Sequence, residues 1–372
     1  MAGYIFTLDN LDSLKNCITS GTYSTRLSTP KNYWSIPHEG TFADYLSMKE
    51  GDNIYFFIER KIYGIGQLTN LTFDCKFLNY PHADIPTSPT DDEINDLALI
   101  KNDETSNHRC FCTFTHSPHF FFNGVDMDDV LSSKPSSFKM LRAFWKVSFI
   151  KIDDEENSAL KDIILKRNEE FIGIPSKTYS FYEDTHQAIL NKLDYTYKLT
   201  STNILNSCTV NTTLKHEMAL ELGIIDILSS NSNSIFGKWD YISHQVIASP
   251  FKPIDYMDKM DIFGYRFIPG FSTISKYLIM ELKKGVASID AVIQVMKYVD
   301  WVNKEYSFGD YSMIEAYVVA SDFSPDVIDY AQQVGIRNFT RGIRPTIPLT
   351  WKSLHLIKYS YENNELVFNT VL

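Results

Sequence analysis

The stretch that most restricts the fold is Tyr277-Leu-Ile-Met-Glu-Leu-Lys283 near the C-terminus. It reads as a strand, and side chains two apart on a strand share a face. Leu278, Met280 and Leu282 therefore point into a core, while Glu281 and Lys283 point together the other way. A carboxylate and an ammonium at the end of an apolar strand can hold a divalent cation and orient a water. Asp261, on a preceding predicted strand, supplies the second carboxylate that a hard cation such as Mg²⁺ requires. Gln294 and Tyr298 follow, four apart on a predicted helix, where they meet on one face.

The pattern D…ExK…QxxxY resembles the PD-(D/E)xK nuclease superfamily, in the branch carrying a QxxxY helix (RecB-like nucleases and NucS-type mismatch endonucleases). The resemblance implies an α/β sheet flanked by helices over residues 211–372 and phosphodiester hydrolysis with Mg²⁺ or Mn²⁺. It also implies roles: Asp261 and Glu281 bind metal, Lys283 assists the attacking water, and Gln294 and Tyr298 support the site or the DNA. The proline that usually precedes the first Asp is missing. Pro253 lies upstream, Lys259-Met260 come directly before Asp261, and Asp255 and Asp258 compete for its role. A helix is expected over Thr213–Leu228, with Leu214, Met218, Leu222 and Ile225 in one stripe bordered by Glu217 and Glu221. Nucleases of this kind often add a helix glutamate to the metal site, and Glu217, just before Met-Ala-Leu, fits that place. The alternative is a solvated helix edge.

Residues 1–168 read as a β-rich domain. A hairpin is expected from Ile54–Ile58 through Glu59-Arg-Lys61 into Ile62–Leu68, with Gly64 and Gly66 on one face leaving room for another backbone or a ligand. Residues 79–107, with three prolines and an acidic run, read as a long surface excursion. Further strands are expected at Cys110–Thr115 and Trp145–Ile152, then a helix from Asp154 to about Asn168. Met48-Lys-Glu-Gly-Asp52, the aromatic strand after it and Ile62-Tyr-Gly-Ile-Gly66 resemble EVE and related PUA-like domains, small β-barrels that read a modified or flipped base. That resemblance places Tyr33, Trp34, Phe42 and Tyr45, with Phe120 and Phe121, near a modified-base pocket. A barrel core is the alternative for each. Residues 169–210 form a helical connector containing the domain boundary.

The net charge of −11 does not itself suggest a nucleic-acid partner, but the excess lies mostly in residues 1–170, with 17 basic and 25 acidic residues. The remainder carries 18 and 21, and local clusters decide phosphate binding. Arg337, Arg341 and Arg344 form one cluster, Lys283 and Lys284 another. No run approaches a membrane span and the first residues lack the basic start of a signal peptide, so no membrane partner and a cytoplasmic location are expected. Five scattered cysteines imply no disulfide framework. His108, Cys110, Cys112, His116 and His119 suggest zinc only loosely, since buried strand cysteines explain the alternation with less. His244 is expected near the site or in the core. The two resemblances together imply a metal-dependent endonuclease that recognises modified DNA, possible as a homodimer, in restriction or antiphage defence. A nucleic-acid sensor, an RNA-directed nuclease and a NucS-like repair nuclease remain open alternatives.

Overall fold

The computed structural model describes residues 1–28, 32–141, 149–230, 234–248 and 258–372. Pro253, Asp255, the turn expected at Pro250–Pro253, the first part of the Trp145–Ile152 strand and the start of the Tyr256–Phe267 strand lie outside the described residues. The chain is mixed α/β and divides into two compact units, Met1–Asn203 and Ile204–Leu372. The division falls within the stretch read as a connector.

The first unit is built on an eight-stranded sheet. Its main path runs Thr22–Arg26, His108–His116, Lys61–Leu68, Asn53–Ile58, Gly3–Thr7 and Phe149–Ile152. Gly3–Thr7 lies parallel to Asn53–Ile58 and the other pairings are antiparallel. The expected hairpin forms, and Glu59 and Arg60 both take positive φ in its two-residue turn. That backbone matches the right-handed twist of the strands it joins. Aromatic side chains fill the interior, with Phe6 stacked on Tyr23 at 4.1 Å and edge-on to Phe149 at 5.1 Å.

The Asp154–Arg167 helix starts at Asp153, whose carboxylate accepts the Glu156 N–H at 2.8 Å. The Ile36–Leu46 helix was not anticipated, although Ser35 at its N-cap and Pro37 in its first turn are start signals. The 79–107 excursion is fastened at both ends. The Asn79 side chain donates to the Ile100 carbonyl at 2.9 Å and accepts the Ile100 N–H at 2.8 Å. Arg109 donates to the carbonyls of Ala83, Ile85 and Thr87.

Gly64 and Gly66 make room for rings rather than for a ligand or a backbone. An added Cβ would sit 2.7 Å from the Tyr55 ring at Gly64 and 2.9 Å from the Phe120 ring at Gly66. Phe120 is fully buried and cannot swing aside. Gly66→Ala is therefore expected to destabilise the first unit by about 1–3 kcal/mol, read as a lower denaturant midpoint at unchanged slope. Parent-like stability would mean that the ring has somewhere to go.

The second unit is a six-stranded sheet in the order Tyr241–Ile247, Lys259–Phe267, Ile274–Ala287, Ile314–Phe323, Leu354–Glu362, Glu365–Thr370. The first three strands form an antiparallel meander, the middle three run parallel, and the last folds back as a hairpin. Residues 277–282 are continuously buried, as suits a strand covered on both faces. The Ile289–Glu305 helix makes the crossover between the third and fourth strands, and the Pro325–Val334 helix follows the fourth. The Glu217–Ser229 helix packs on the meander. Thr213–Leu214, expected as its first turn, pairs instead with Thr209–Val210 as a short ribbon.

Candidate active site

The meander register aligns three side chains in one row. Ile262 pairs with Met280 and His244 with Ile262, so the same register sets Gln245, Asp261 and Glu281 side by side on adjacent strands. Directly opposite residues project from the same face. Lys283 lies two residues beyond Glu281 and shares that face. The Asp261 Oδ2 accepts the Leu282 N–H at 2.7 Å, which pins the carboxylate to the neighbouring strand. Lys283 Nζ donates to Glu281 Oε1 at 2.8 Å, while Glu281 Oε2 is buried and has no hydrogen-bond partner among the described residues.

The Glu217–Ser229 helix adds two further acids one turn apart. Glu217, half exposed, places Oε2 3.6 Å from Lys283 Nζ. Glu221 is almost fully buried, with Oε1 2.8 Å from His244 Nδ1 and Oε2 accepting from Gln245 Nε2 at 3.0 Å. The Gln245 amide also reaches Asp261 Oδ1 at 3.4 Å, bridging the helix acid and the strand acid. Gln245 adopts φ +52°, a left-handed conformation that costs a non-glycine residue about 1–2 kcal/mol. Strain of this kind persists where the surroundings fix it, here between two carboxylates.

Burial first, and the neighbouring charges second, set the electrostatics. Burial, then the Glu281 and Glu221 charges, hold the Asp261 carboxyl well above the usual range. Burial pushes Glu281 up to about 7 despite the opposing pull of Lys283, with Glu217 and Glu221 adding to the rise. Burial works against the Lys283 charge, but Glu281, Glu217 and Asp261 outweigh it and raise its pKa. Lys283 is therefore an ammonium at neutral pH, suited to stabilise negative charge rather than to accept a proton. The donor set is all carboxylate oxygen, one oxygen is buried without a partner, and the acids repel one another. Each of these suits a hard divalent cation held by Asp261 and Glu281.

Gln294 and Tyr298 do meet, with Gln294 Nε2 donating to the Tyr298 hydroxyl at 2.6 Å. That hydroxyl donates in turn to the Lys259 carbonyl at 2.7 Å. The buried tyrosine thus fastens the Ile289–Glu305 helix to the strand two residues before Asp261, acting on the backbone that carries the acid. Glu221 and Gln245 are the contributors that sequence reasoning underweighted. Glu221 stood beside Glu217 on the same helix edge, whereas nothing local marked Gln245.

In the first unit, Trp34, Phe42, Tyr45, Phe120 and Phe121 are buried core residues, and Tyr33 is exposed. The expected aromatic pocket does not match this arrangement, because fully covered rings offer no free face to a base. Trp34 Nε1 donates to the Asp84 carbonyl at 2.6 Å, its ring stands 5.0 Å from Phe42, and the Arg109 guanidinium lies over it. Nearby, a cavity of about 450 Å³ has a polar lining of Thr25, Arg26, Ser28, His38, Thr41 and Asn107, with Leu27 and Pro37. Cys110 and Cys112 are buried, and burial raises both thiols well above their ordinary range. His108 shares a 2.6 Å hydrogen bond with Ser24, and His116 lies 3.4 Å from the Ile18 carbonyl.

No family model matches the chain, and no curated protein does. Solved structures match in part. An EndoMS–dsDNA2 complex is 22% identical over 21% of this chain and 28% of that one, with a TM-score of 0.17. A repair endonuclease from Pyrococcus abyssi is 23% identical over 26% and 34%, with a TM-score of 0.18. A structural-genomics protein from Pseudomonas putida is 14% identical over 43% and 97%, with a TM-score of 0.24. The chain spans about a third or less of the first two.

Proposed function

We propose that the second unit is a PD-(D/E)xK-type nuclease domain that hydrolyses phosphodiester bonds with Mg²⁺ or Mn²⁺. The observation that carries this reading is the Asp261–Glu281 row with Lys283 beside it and a buried carboxylate oxygen left without a partner. Asp261 and Glu281 would hold the cation, which when bound supplies Lewis-acid polarisation and lowers the pKa of water. Lys283, fixed by Glu281 and Glu217, places a positive charge where the attacking water and the pentavalent phosphoryl group develop negative charge. Gln245 sets the Asp261 carboxylate against Glu221, and Tyr298 sets the strand beneath it.

The first unit, in this reading, is a PUA-like recognition module, and the whole is an endonuclease directed to modified DNA in restriction or antiphage defence. The cavity beside His38, lined by polar and apolar groups alike, supports a recognition role better than the buried aromatics do. Its size is that of ordinary small-ligand sites, and its hydroxyl, imidazole and guanidinium groups match base-edge hydrogen bonding.

The test is cleavage of modified and unmodified phage DNA, and of RNA, with Mg²⁺ and with excess EDTA. Metal-dependent cleavage favouring modified DNA is expected, and full cleavage in EDTA would end the metal-nuclease reading. Lys283→Ala is expected to lower the single-turnover rate about 10²–10³-fold while Mn²⁺ binding, followed by calorimetry, persists. A Lys283→Ala enzyme as fast as the parent removes that lysine from the mechanism.

A further inference from the structure

From Tyr330 to Tyr361 the chain holds no acidic residue but carries Arg337, Arg341, Arg344, Lys352 and Lys358, in a protein with 46 acids. Half of this stretch folds as a separate two-stranded hairpin, Arg337–Arg341 against Ile347–Trp351, outside the six-stranded sheet. Isolated hairpins are marginal in water, yet this one is rooted firmly. Arg337 grips both oxygens of Asp300 at 2.9 and 3.0 Å, Trp351 Nε1 donates to the Ile314 carbonyl at 2.8 Å, and Phe339 packs edge-on to Tyr311.

The tip is the reverse of the root. Residues 340–348 are all exposed, and Ile343 stands at 87% exposure between Arg341 and Arg344. Gly342 turns the chain at φ +79°, where an added Cβ would lie 2.8 Å from the Pro345 carbonyl. The tip thus presents two arginines around an aliphatic wedge to solvent. Arginine flanking an apolar side chain is the chemistry by which proteins grip phosphates and enter the minor groove of a duplex. The root also attaches to the sheet that carries the acid row. Trp351 bonds Ile314, which pairs with Tyr277, four residues or about 13 Å along the strand from Glu281.

We propose that the 337–351 hairpin is a duplex-binding arm, with Arg341 and Arg344 on backbone phosphates and Ile343 inserted in the groove. The proposal rests on the nuclease reading only for the class of ligand, and its test separates the two. A fluorescent DNA duplex of about two helical turns is titrated with the full chain in EDTA, between about 50 and 200 mM salt. The Arg341→Ala/Arg344→Ala chain is expected to bind at least about tenfold more weakly, with a salt slope shallower by roughly 1.8 for two lost phosphate contacts. Arg341→Lys/Arg344→Lys should restore most of the slope. Ile343→Ser should keep the slope but lose the rise in 2-aminopurine fluorescence that marks an unstacked step.

Unchanged affinity and slope in the alanine pair, or no duplex binding by the parent, overturns the arm. Replacing residues 342–346 by Asn-Gly, which preserves the ladder, gives a second reading should the alanine pair misfold. It keeps Arg341 and removes Arg344 and Ile343, so it must show about half that slope change, roughly 0.9, together with loss of the 2-aminopurine signal for the arm to stand. Cleavage in Mg²⁺ is scored separately. A parent that binds through the arm but never cuts defeats the nuclease reading alone, and a parent that cuts with no effect of the arm variants defeats the arm alone.

Discussion

Glu281→Gln should abolish metal-dependent cleavage, by more than about 10³-fold, and at the same time make the metal-free protein more stable above neutral pH. Asp261→Asn should behave alike. The first effect follows from losing a ligand. The second follows from burial and neighbouring charge, which hold the Glu281 carboxyl up at about 7, above its ordinary 4.5. A group whose pKa is raised on folding contributes its stability at low pH and loses it as pH rises through the folded value. The parent without metal should therefore lose more stability between about pH 4.5 and 7 than the amide, which keeps the raised Asp261 carboxyl but not that of Glu281. Near pH 4.5 the two proteins should unfold together, with the variant ahead at pH 8. Added Mg²⁺ should raise the parent's melting temperature and leave the variant's unchanged. If Glu281→Gln cuts as fast as the parent, or is less stable at pH 8, the crowded-acid account of the site is wrong.

Trp34→Ala should cost about 3–5 kcal/mol of first-unit stability, the usual penalty for truncating a fully buried tryptophan. The change removes the donor to the Asp84 carbonyl, opens space against Phe42, and strips the ring from beneath Arg109. Burial already works against the Arg109 charge, so the loss of its aromatic cover compounds the effect. Trp34→Phe should recover much of the packing but not the Asp84 hydrogen bond. Equilibrium denaturation of the full chain measures both. An alanine variant that unfolds like the parent but no longer binds nucleic acid would return Trp34 to a recognition pocket and contradict its place in the core.

The acids and the lysine of the second unit were legible because strand alternation is a local rule. Glu281 and Lys283 share a face wherever the strand is placed, and Asp261 needed only an antiparallel neighbour to reach them. The helix spacing of Gln294 and Tyr298 was equally local and gave their mutual contact. What the tyrosine holds, the Lys259 carbonyl, is a partner 39 residues away, set by packing that no spacing encodes. Glu217 and Glu221 lie one turn apart, and the position of Gln245 links the buried one to Asp261. The left-handed backbone of Gln245 has no sequence mark, since glutamine is not a residue that favours it. In the first unit, aromatic residues were easy to find and hard to assign. A ring in a core and a ring in a pocket have the same composition, and burial alone separates them.

The fastened excursion at residues 79–107 bears on how the protein meets proteases. Three prolines and an acidic run in a long irregular stretch look like an easy place to cut. Cleavage, however, requires several consecutive residues to leave the surface together and extend across a protease cleft. Asn79 closes the segment into a ring through Ile100, and Arg109 holds the carbonyls of Ala83, Ile85 and Thr87 from inside. Lifting residues 83–87 first breaks bonds to a buried guanidinium. Residues 79–87 should therefore survive limited digestion as long as the unit stays folded, and scission there should report global opening rather than loop motion.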